Sequence, residues 1–433
     1  MNEVVYDLRL QHKYQSALGK SPKHAALLKS QLYCGTRLIK NVGMQSGAFV
    51  MSNGQVSEFF GMATCKNSWS CPYCSAKLMA KYASEIAIAI DALKAKGQIA
   101  FMLTLTIPHT SGMSCEESTE ILYNSWKAFV VRGNHNLKNT KSRAGKTWKH
   151  NDVFASFCEQ TGCRHRVRVG EYTWGDAGWH PHFHCLFWVD KDKFDKVLDW
   201  QDKFQERWLQ IVKRETLKMW NKRAKDNAEI ARNKTRLEIM YSRLNGVSKA
   251  AYMSINDDRK LIIQQSSMYI CGWGADRELT SNFERKATNP GHLTPFQILE
   301  KATDDPDDKW MKLYLEYAWA TRIKRHARIN FSVHSGIKKI IAQWKLTKQY
   351  QEVCKKKAAT NPTKNLKLVC WFDKSSWSDI CFLNRNFPIK AEILELAKLP
   401  DAYERIRTYL MKYGIDVRRE YRNEAFINSL FAA

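Results

Sequence analysis

Three groups of residues in this chain could do chemistry. The first lies in Gly178-Trp-His-Pro-His-Phe-His-Cys-Leu-Phe-Trp-Val189, which sets His182 and His184 two residues apart at the head of an apolar, aromatic run that reads as a strand. Strand side chains alternate faces, so the two imidazoles point one way while Phe183, Cys185 and Phe187 point the other. Two imidazoles on one rigid strand begin a metal site and need at least one more ligand. Glu171, on the strand expected to pair with this one, is the natural candidate. Strict alternation puts Glu171 with Val167 and Val169, and His182 with Leu186 and Trp188; a bulge at Gly170 would re-aim the carboxylate. An imidazole and carboxylate site with open positions suits Mg²⁺ or Mn²⁺. His180 is close in sequence, but Pro181 is expected to break the strand after it.

The second group is Cys65 followed, after five intervening residues, by Cys71-Pro-Tyr-Cys74. Two cysteines separated by two residues are half of a tetrahedral zinc site; Cys65 supplies a third thiolate and Cys34, beside Gly35, the fourth. The alternative is a set of buried free thiols. A zinc deaminase is excluded, because no His-x-Glu precedes the cluster and the proline sits inside the pair. Zinc here would fold the domain and do no chemistry. The third group is a nucleophile: a tyrosine hydroxyl can attack a phosphodiester and stay attached to the DNA end. Tyr269, in Ser267-Met-Tyr-Ile-Cys-Gly-Trp-Gly, is one of 17 tyrosines and spacing does not single it out.

The elements that must position these groups follow from periodicity. A short helix leads into a strand over Leu32-Tyr-Cys-Gly-Thr36. A helix over Ser75 to Lys96 carries Leu78, Tyr82, Ile86 and Ile90 at helical spacing. A strand over Ile99 to Ile107 puts Phe101, Leu103, Leu105 and Ile107 on one face and Thr104 and Thr106 on the other. A helix over Cys115 to Val131 and a basic loop over Lys138 to Lys149 follow. The strand Arg164 to Thr173 joins the histidine strand through the turn Gly175-Asp-Ala-Gly178. Phe194 to Arg243 is helical and charged, including Lys213-Arg214, Lys222-Arg223-Ala-Lys225 and Arg232-Asn-Lys234; this is either a solvated face or one that tracks phosphates. Helices recur over 293–350, Lys355-Lys-Lys-Ala-Ala-Thr-Asn-Pro reads as a linker, and the segment beyond Asn365 has strand-like and helical pieces without legible chemistry.

The whole chain has 433 residues and a formal charge of +26. Such an excess favours a polyanion, nucleic acid or an acidic membrane surface. The longest apolar run, Phe101 to Ile107, is too short to span a bilayer, and no anchor or secretory signal is evident. Twelve cysteines without export argue for thiols and metal ligation. The expectation is a cytoplasmic nucleic-acid protein without a membrane partner.

From Cys34 to Ile340 the chain resembles the rolling-circle plasmid replication initiator proteins, the Rep family of HUH endonucleases. The resemblance is carried, in order, by Cys34, Cys65 and Cys71-Pro-Tyr-Cys74; Phe101-Met-Leu-Thr-Leu-Thr-Ile-Pro-His109; Glu171-Tyr-Thr; Gly178-Trp-His-Pro-His-Phe-His184; Tyr269-Ile-Cys-Gly-Trp-Gly with Glu278-Leu-Thr280; Leu293-Thr-Pro-Phe-Gln-Ile-Leu299; and Glu316-Tyr-Ala with Ser335-Gly-Ile-Lys338. It implies an α+β fold: an HUH nuclease core with a central antiparallel β-sheet flanked by helices, a cysteine-rich zinc element and a helical C-terminal region. The expected division is 1–98 with the zinc element, 99–345 as nuclease domain with a basic helical insertion over 194–243, and 346–433 of unassigned role.

By the same resemblance, His182, His184 and Glu171 hold Mg²⁺ or Mn²⁺, and Tyr269 attacks origin DNA that is single-stranded at the nick. A 5′-phosphotyrosine link and a 3′-hydroxyl primer result, with the host helicase and DNA polymerase as partners. Two departures matter. The family's lysine three residues after the tyrosine is Gly272 here, so Arg277 or Lys286 would have to position the phosphate. The glutamate some relatives carry four residues before the tyrosine is Gln265, and Tyr252 in Ala250-Ala-Tyr-Met is an alternative nucleophile. Rival readings are a non-catalytic zinc-containing DNA-binding protein, such as a degenerate initiator or repressor, and an HUH transposase or relaxase.

Overall fold

The computed structural model describes residues 3–39, 46–130, 153–242, 251–253, 291–322, 331–333, 335–348, 350–351 and 366–421. It is a mixed α+β structure whose chain contacts form two compact units: 1–79, 296–322 and 347–433 in one, 80–295 and 323–346 in the other.

The second unit is built on a five-stranded antiparallel sheet. Its strands are β3 (Gln98–Thr106), β4 (His165–Gly175), β5 (Gly178–Asp190), β6 (Ala251–Met253) and β7 (Phe331–Val333), in the order β6-β3-β5-β4-β7. Alternation sorts β3 and β5 as their sequences require. Phe101, Leu103 and Leu105 join Phe183, Cys185, Phe187 and Val189 in one buried cluster with Trp126 and Phe129 of helix Cys115–Val130, Phe154 and Phe157 of helix Val153–Thr161, and Phe204 and Trp208 of helix Gln201–Arg223. The stacked and edge-on rings of Phe101, Phe157 and Phe187, 5.5 to 6.5 Å apart, fix the sheet against these helices. Trp208 also donates its indole N–H to the Thr106 carbonyl at 2.7 Å. The apolar face is therefore committed to the core, and the residues between, Thr104, His182 and His184, are turned to the opposite face.

Strands β4 and β5 pair without interruption from His165↔Trp188 to Gly175↔Gly178 across the two-residue turn Asp176-Ala177. No bulge occurs at Gly170: residues directly opposite in an antiparallel pair share a face, and Glu171 sits opposite His182, with Val169 opposite His184 and Val167 opposite Leu186. Strict alternation thus aims the carboxylate correctly unaided. Nor does Pro181 break β5, which runs through it. Strand β3 ends its pairing at Thr106↔His182, so at Pro181 only β4 flanks β5 and the missing N–H costs no ladder bond on the other side. Gly97 (φ +75) turns the chain from helix Pro72–Lys94 into β3.

The first unit contains β1 (Ala48–Ser52), β2 (Ser57–Phe60) and β8 (Lys367–Phe372) in the antiparallel order β2-β1-β8. Helices Lys374–Leu383, Ile389–Leu396 and Ala402–Met411 follow β8. Their Trp377, Ile380, Ile393, Leu394, Ile406 and Leu410 share a core with Ala48, Val50 and Phe59 of the hairpin. The segments expected as 1–98 and 346–433 are not separate bodies: β8 pairs with β1 because neither sheet half buries its apolar face alone, and residues 80–98 belong with the second unit. Leu32 to Thr36 is not a strand either; helix Lys29–Leu32 ends in a turn there. The basic loop 138–149 and the linker from Lys355 lie outside the described residues. No described helix is long and apolar enough to cross a membrane.

Phe187 is fully buried at the centre of the aromatic cluster. Phe187→Ala is expected to cost about 3–5 kcal/mol of stability, since both the transfer term and the cavity term apply. Chemical denaturation followed by tryptophan fluorescence measures it.

Candidate metal centres

Cys34, Cys65, Cys71 and Cys74 converge in the first unit, all four sulfurs within 4.8 Å of one another. Cys34 comes from the turn after helix Lys29–Leu32 and Cys65 from the loop after β2. Cys71 and Cys74 bracket the first turn of helix Pro72–Lys94, where Pro72 is well suited to the first helical position. The Cys34–Cys74, Cys34–Cys71 and Cys65–Cys74 sulfur separations are 3.4, 3.6 and 3.6 Å. A tetrahedral ion with Zn–S bonds of about 2.3 Å sets its sulfurs about 3.8 Å apart, so the cluster needs only slight expansion to hold one. Backbone N–H groups of Cys65 and Asn67 point at the sulfurs of Cys34 and Cys65, at 3.3 and 3.4 Å. Lys66 takes the left-handed φ of 55° that lets the loop do so. Hydrogen bonds from Cys34, Cys65 and Cys71 hold the Cys74 thiol far below its ordinary range, while burial pushes Cys71 up.

A second layer, not foreseen in the sequence, orients this cluster. The Gln15 amide donates to the carbonyls of Gln31 and Cys34 at 2.9 and 3.0 Å. The hydroxyls of Tyr314 and Tyr317, on helix Lys309–Ala320, donate to the carbonyls of Ser70 and Trp69 at 2.9 and 3.0 Å. The two tyrosines, three residues apart, thus clamp the loop that delivers Cys71.

The other centre belongs to the second unit. Glu171 Oε2 lies 3.2 Å from His182 Nε2 and 2.7 Å from His184 Nε2, and the two nitrogens are 3.2 Å apart. Ligands at right angles on a six-coordinate ion with bonds of about 2.1 Å are separated by about 3 Å, so the three atoms have the spacing of one octahedral face. Burial disfavours the Glu171 carboxylate, but the two imidazoles outweigh it and hold its pKa well below the usual range. Thr104, opposite His184 across the β3–β5 ladder, has its hydroxyl 3.1 Å from His184 Nδ1. A proton on Nδ1 donated to that oxygen leaves the Nε2 lone pair for a cation. His182 Nδ1 is buried with no partner among the described residues. Either cluster could therefore hold a metal ion.

Two further histidines adjoin this centre. His180 is next on the same face of β5, its ring centroid 5.2 Å from that of His182. His109, just after β3, brings its Nδ1 to 3.2 Å from His180 Nδ1. Burial first, then His182 and His109, push the His180 pKa down to about 3, and burial also lowers His109. Burial thus disfavours the charged form of both rings. The signal was the Trp-His-Pro-His spacing itself, which places His180, His182 and His184 in one row.

The expected nucleophile Tyr269, with Gln265, Gly272, Arg277 and Lys286, lies outside the described residues. Of the candidate tyrosines, Tyr252 belongs to β6, which pairs Tyr252 with Thr104 at the sheet edge.

Comparison with known proteins adds little. No family model matches the chain, and no solved structure matches it. A curated protein of Streptomyces cyanogenus, described as neomycin resistance protein, is 29% identical over 138 residues, covering 30% of this chain and 31% of that protein. A likeness confined to a third of either chain shows no family.

Purified protein is expected to hold about one zinc per chain, and Cys71→Ser to lose it together with thermal stability. Elemental analysis and melting curves with and without chelator check this; a zinc content near zero refutes the site. A pH dependence follows from His180. Its ordinary pKa is 6.5 and the folded value about 3, so between these the unfolded chain binds the extra proton. Stability from this group is fully present above its ordinary pKa and falls as pH drops toward the folded value. Metal-free His180→Asn should lose less melting temperature than wild type between neutral and mildly acid pH.

Proposed function

We propose that this protein is a metal-dependent nickase and strand transferase that starts rolling-circle replication by cutting one DNA strand at an origin. The observation that carries the reading is the meeting of Glu171, His182 and His184 on adjacent strands of an antiparallel sheet, in a chain of formal charge +26. In this reading the three residues hold Mg²⁺ or Mn²⁺. When bound, that ion supplies a Lewis acid for a phosphate oxygen. The protein's own part is positional: the hairpin register sets the carboxylate opposite the imidazole, and Thr104 turns His184 so that Nε2 faces outward. A tyrosine oxygen attacks phosphorus and the bond to the 3′-oxygen breaks, leaving a 5′-phosphotyrosine and a 3′-hydroxyl. Energy stays in the phosphodiester, so the same tyrosine link can be reversed to rejoin ends.

Tyr269 is the first nucleophile by resemblance. The register position of Tyr252 opposite Thr104, whose hydroxyl meets His184, supports Tyr252 as the competitor. Incubation of wild type with an origin oligonucleotide and Mn²⁺ should give a covalent protein–DNA adduct. Tyr269→Phe should abolish it, and His182→Ala with His184→Ala should reduce it at least about a hundredfold, the scale for losing an electrostatic stabiliser of the transition state. An adduct that survives Tyr269→Phe and disappears in Tyr252→Phe moves the nucleophile to β6. Origin binding without any adduct in wild type would instead favour the non-catalytic reading, for which Gly272 and Gln265 speak.

A further inference from the structure

We propose that the exposed face of helix Asn227–Ser242 is a nucleotide-binding groove that holds single-stranded DNA beside the Glu171–His182–His184 centre. The identity of the partner rests on the strand-cleavage reading; the groove rests on its own chemistry. Ala231, Arg232, Thr235, Arg236 and Ile239 line an open hollow of about 460 Å³. Their spacing of one, three and four residues puts them on one side of the helix. Two guanidinium groups and a hydroxyl offer donors to phosphate, and Arg is the side chain whose fork matches phosphate oxygens. Ala231 and Ile239 add an apolar strip, with Ile239 48% exposed although it is a large aliphatic residue. Donors for phosphate beside apolar surface are what a nucleotide presents its two ends to. A single strand fits better than a duplex, because only unpaired bases bare their faces to such a strip.

The acidic groups of this helix do not cancel the charge. Glu229 accepts the Lys225 backbone N–H at 2.8 Å, before the helix start, and Glu238 is not part of the lining. Arg236 is held in place rather than left to sweep through solvent, since its guanidinium lies 4.7 Å over the Trp220 ring.

The groove also has a route to the metal centre within the same compact unit. Arg236 Nη2 lies 3.9 Å from where a side chain on Gly112 would begin. Gly112 belongs to the loop after β3, whose Thr110 and Ser111 press on Gly178 so closely that a β-carbon there would meet them at 3.2 and 3.1 Å. The same loop carries His109, whose ring is 4.6 Å from His180. A strand laid along this strip would pass from Arg236 across the loop to the row of histidines on β5.

The test is fluorescence anisotropy with a labelled oligothymidylate of about twenty nucleotides and a duplex of equal length, over a series of KCl concentrations without metal. R232Q/R236Q keeps most of the aliphatic stems and removes two charges. It should weaken oligothymidylate binding about tenfold and flatten the plot of log affinity against log salt by about 1.4, two single-strand phosphates' worth. R232K/R236K should keep the wild-type slope, and R405Q/R407Q, a basic pair in the other unit, should leave it unchanged. An unaltered slope in R232Q/R236Q overturns the proposal. So does an equal fall in R405Q/R407Q, which would be general electrostatics, or a loss seen only with duplex. Because this assay needs no cleavage, a loss of binding in R232Q/R236Q together with no adduct from wild type would keep the groove and sink the nickase reading.

Discussion

The whole candidate site depends on one register: β4 and β5 must pair so that Glu171 faces His182. Side chains in a strand repeat every two residues, so a slip of one residue would send the carboxylate into the aromatic core and leave two imidazoles alone. The register is held at both ends. On the core side, Phe183, Cys185 and Phe187 are fully buried and cannot be exchanged for the histidines between them without burying polar groups. At the hairpin, Gly178 takes a φ of +88° where neither Asp176 nor Ala177 is left-handed, so the reversal of the chain rests on this glycine. Any side chain there would also strike Ser111 and Thr110. The turn that fixes the ligands is therefore the place where the loop carrying His109 is seated.

Much of this was legible from residue order. Alternation in Phe101 to Ile107 and in Phe183 to Phe187 identified the core face, and Gly175-Asp-Ala-Gly178 identified the hairpin. Cysteine spacing points to Cys65, Cys71 and Cys74, and the place of Cys34 beside Gly35 adds a fourth; the four sulfurs do converge. What misled was a local reading of non-local facts. Without the register, Glu171 groups with the valines and His182 with Leu186 and Trp188 as though on different faces, and only a bulge at Gly170 would bring them together. Once the register is known, Val167, Val169 and Glu171 lie opposite Leu186, His184 and His182 on the same face. Pro181 looked like a strand breaker because sequence does not tell where β3 stops. The pairing of β8 with β1 spans over 300 residues, beyond the reach of any periodicity. The clamp of Tyr314 and Tyr317 on the Cys71 loop was hidden for the same reason.

The two clusters differ in ways that separate their roles. Four sulfurs surrounded by N–H donors and braced by Gln15, Tyr314 and Tyr317 leave no open position, which is how a site is built to fold a protein. Two imidazoles and one carboxylate supply only one face of a coordination shell. The remaining positions are left for something else to occupy, and Glu171 keeps about a quarter of its side-chain surface open to solvent. Thiolates also favour a soft ion and the mixed oxygen and nitrogen set a harder one, so the sites need not compete for the same metal.

That contrast bears on His180 and His109. A protonated imidazole beside a cluster able to hold a cation would repel that cation. Burial lowers the pKa of both imidazoles and so disfavours a repelling charge at that position. Positive charge stands farther out instead, on Arg232 and Arg236, with Arg236 reaching the Gly112 loop. β5 runs from Gly178, pressed against that loop, through the partly buried histidine row, so one strand holds both the loop and the candidate ligands.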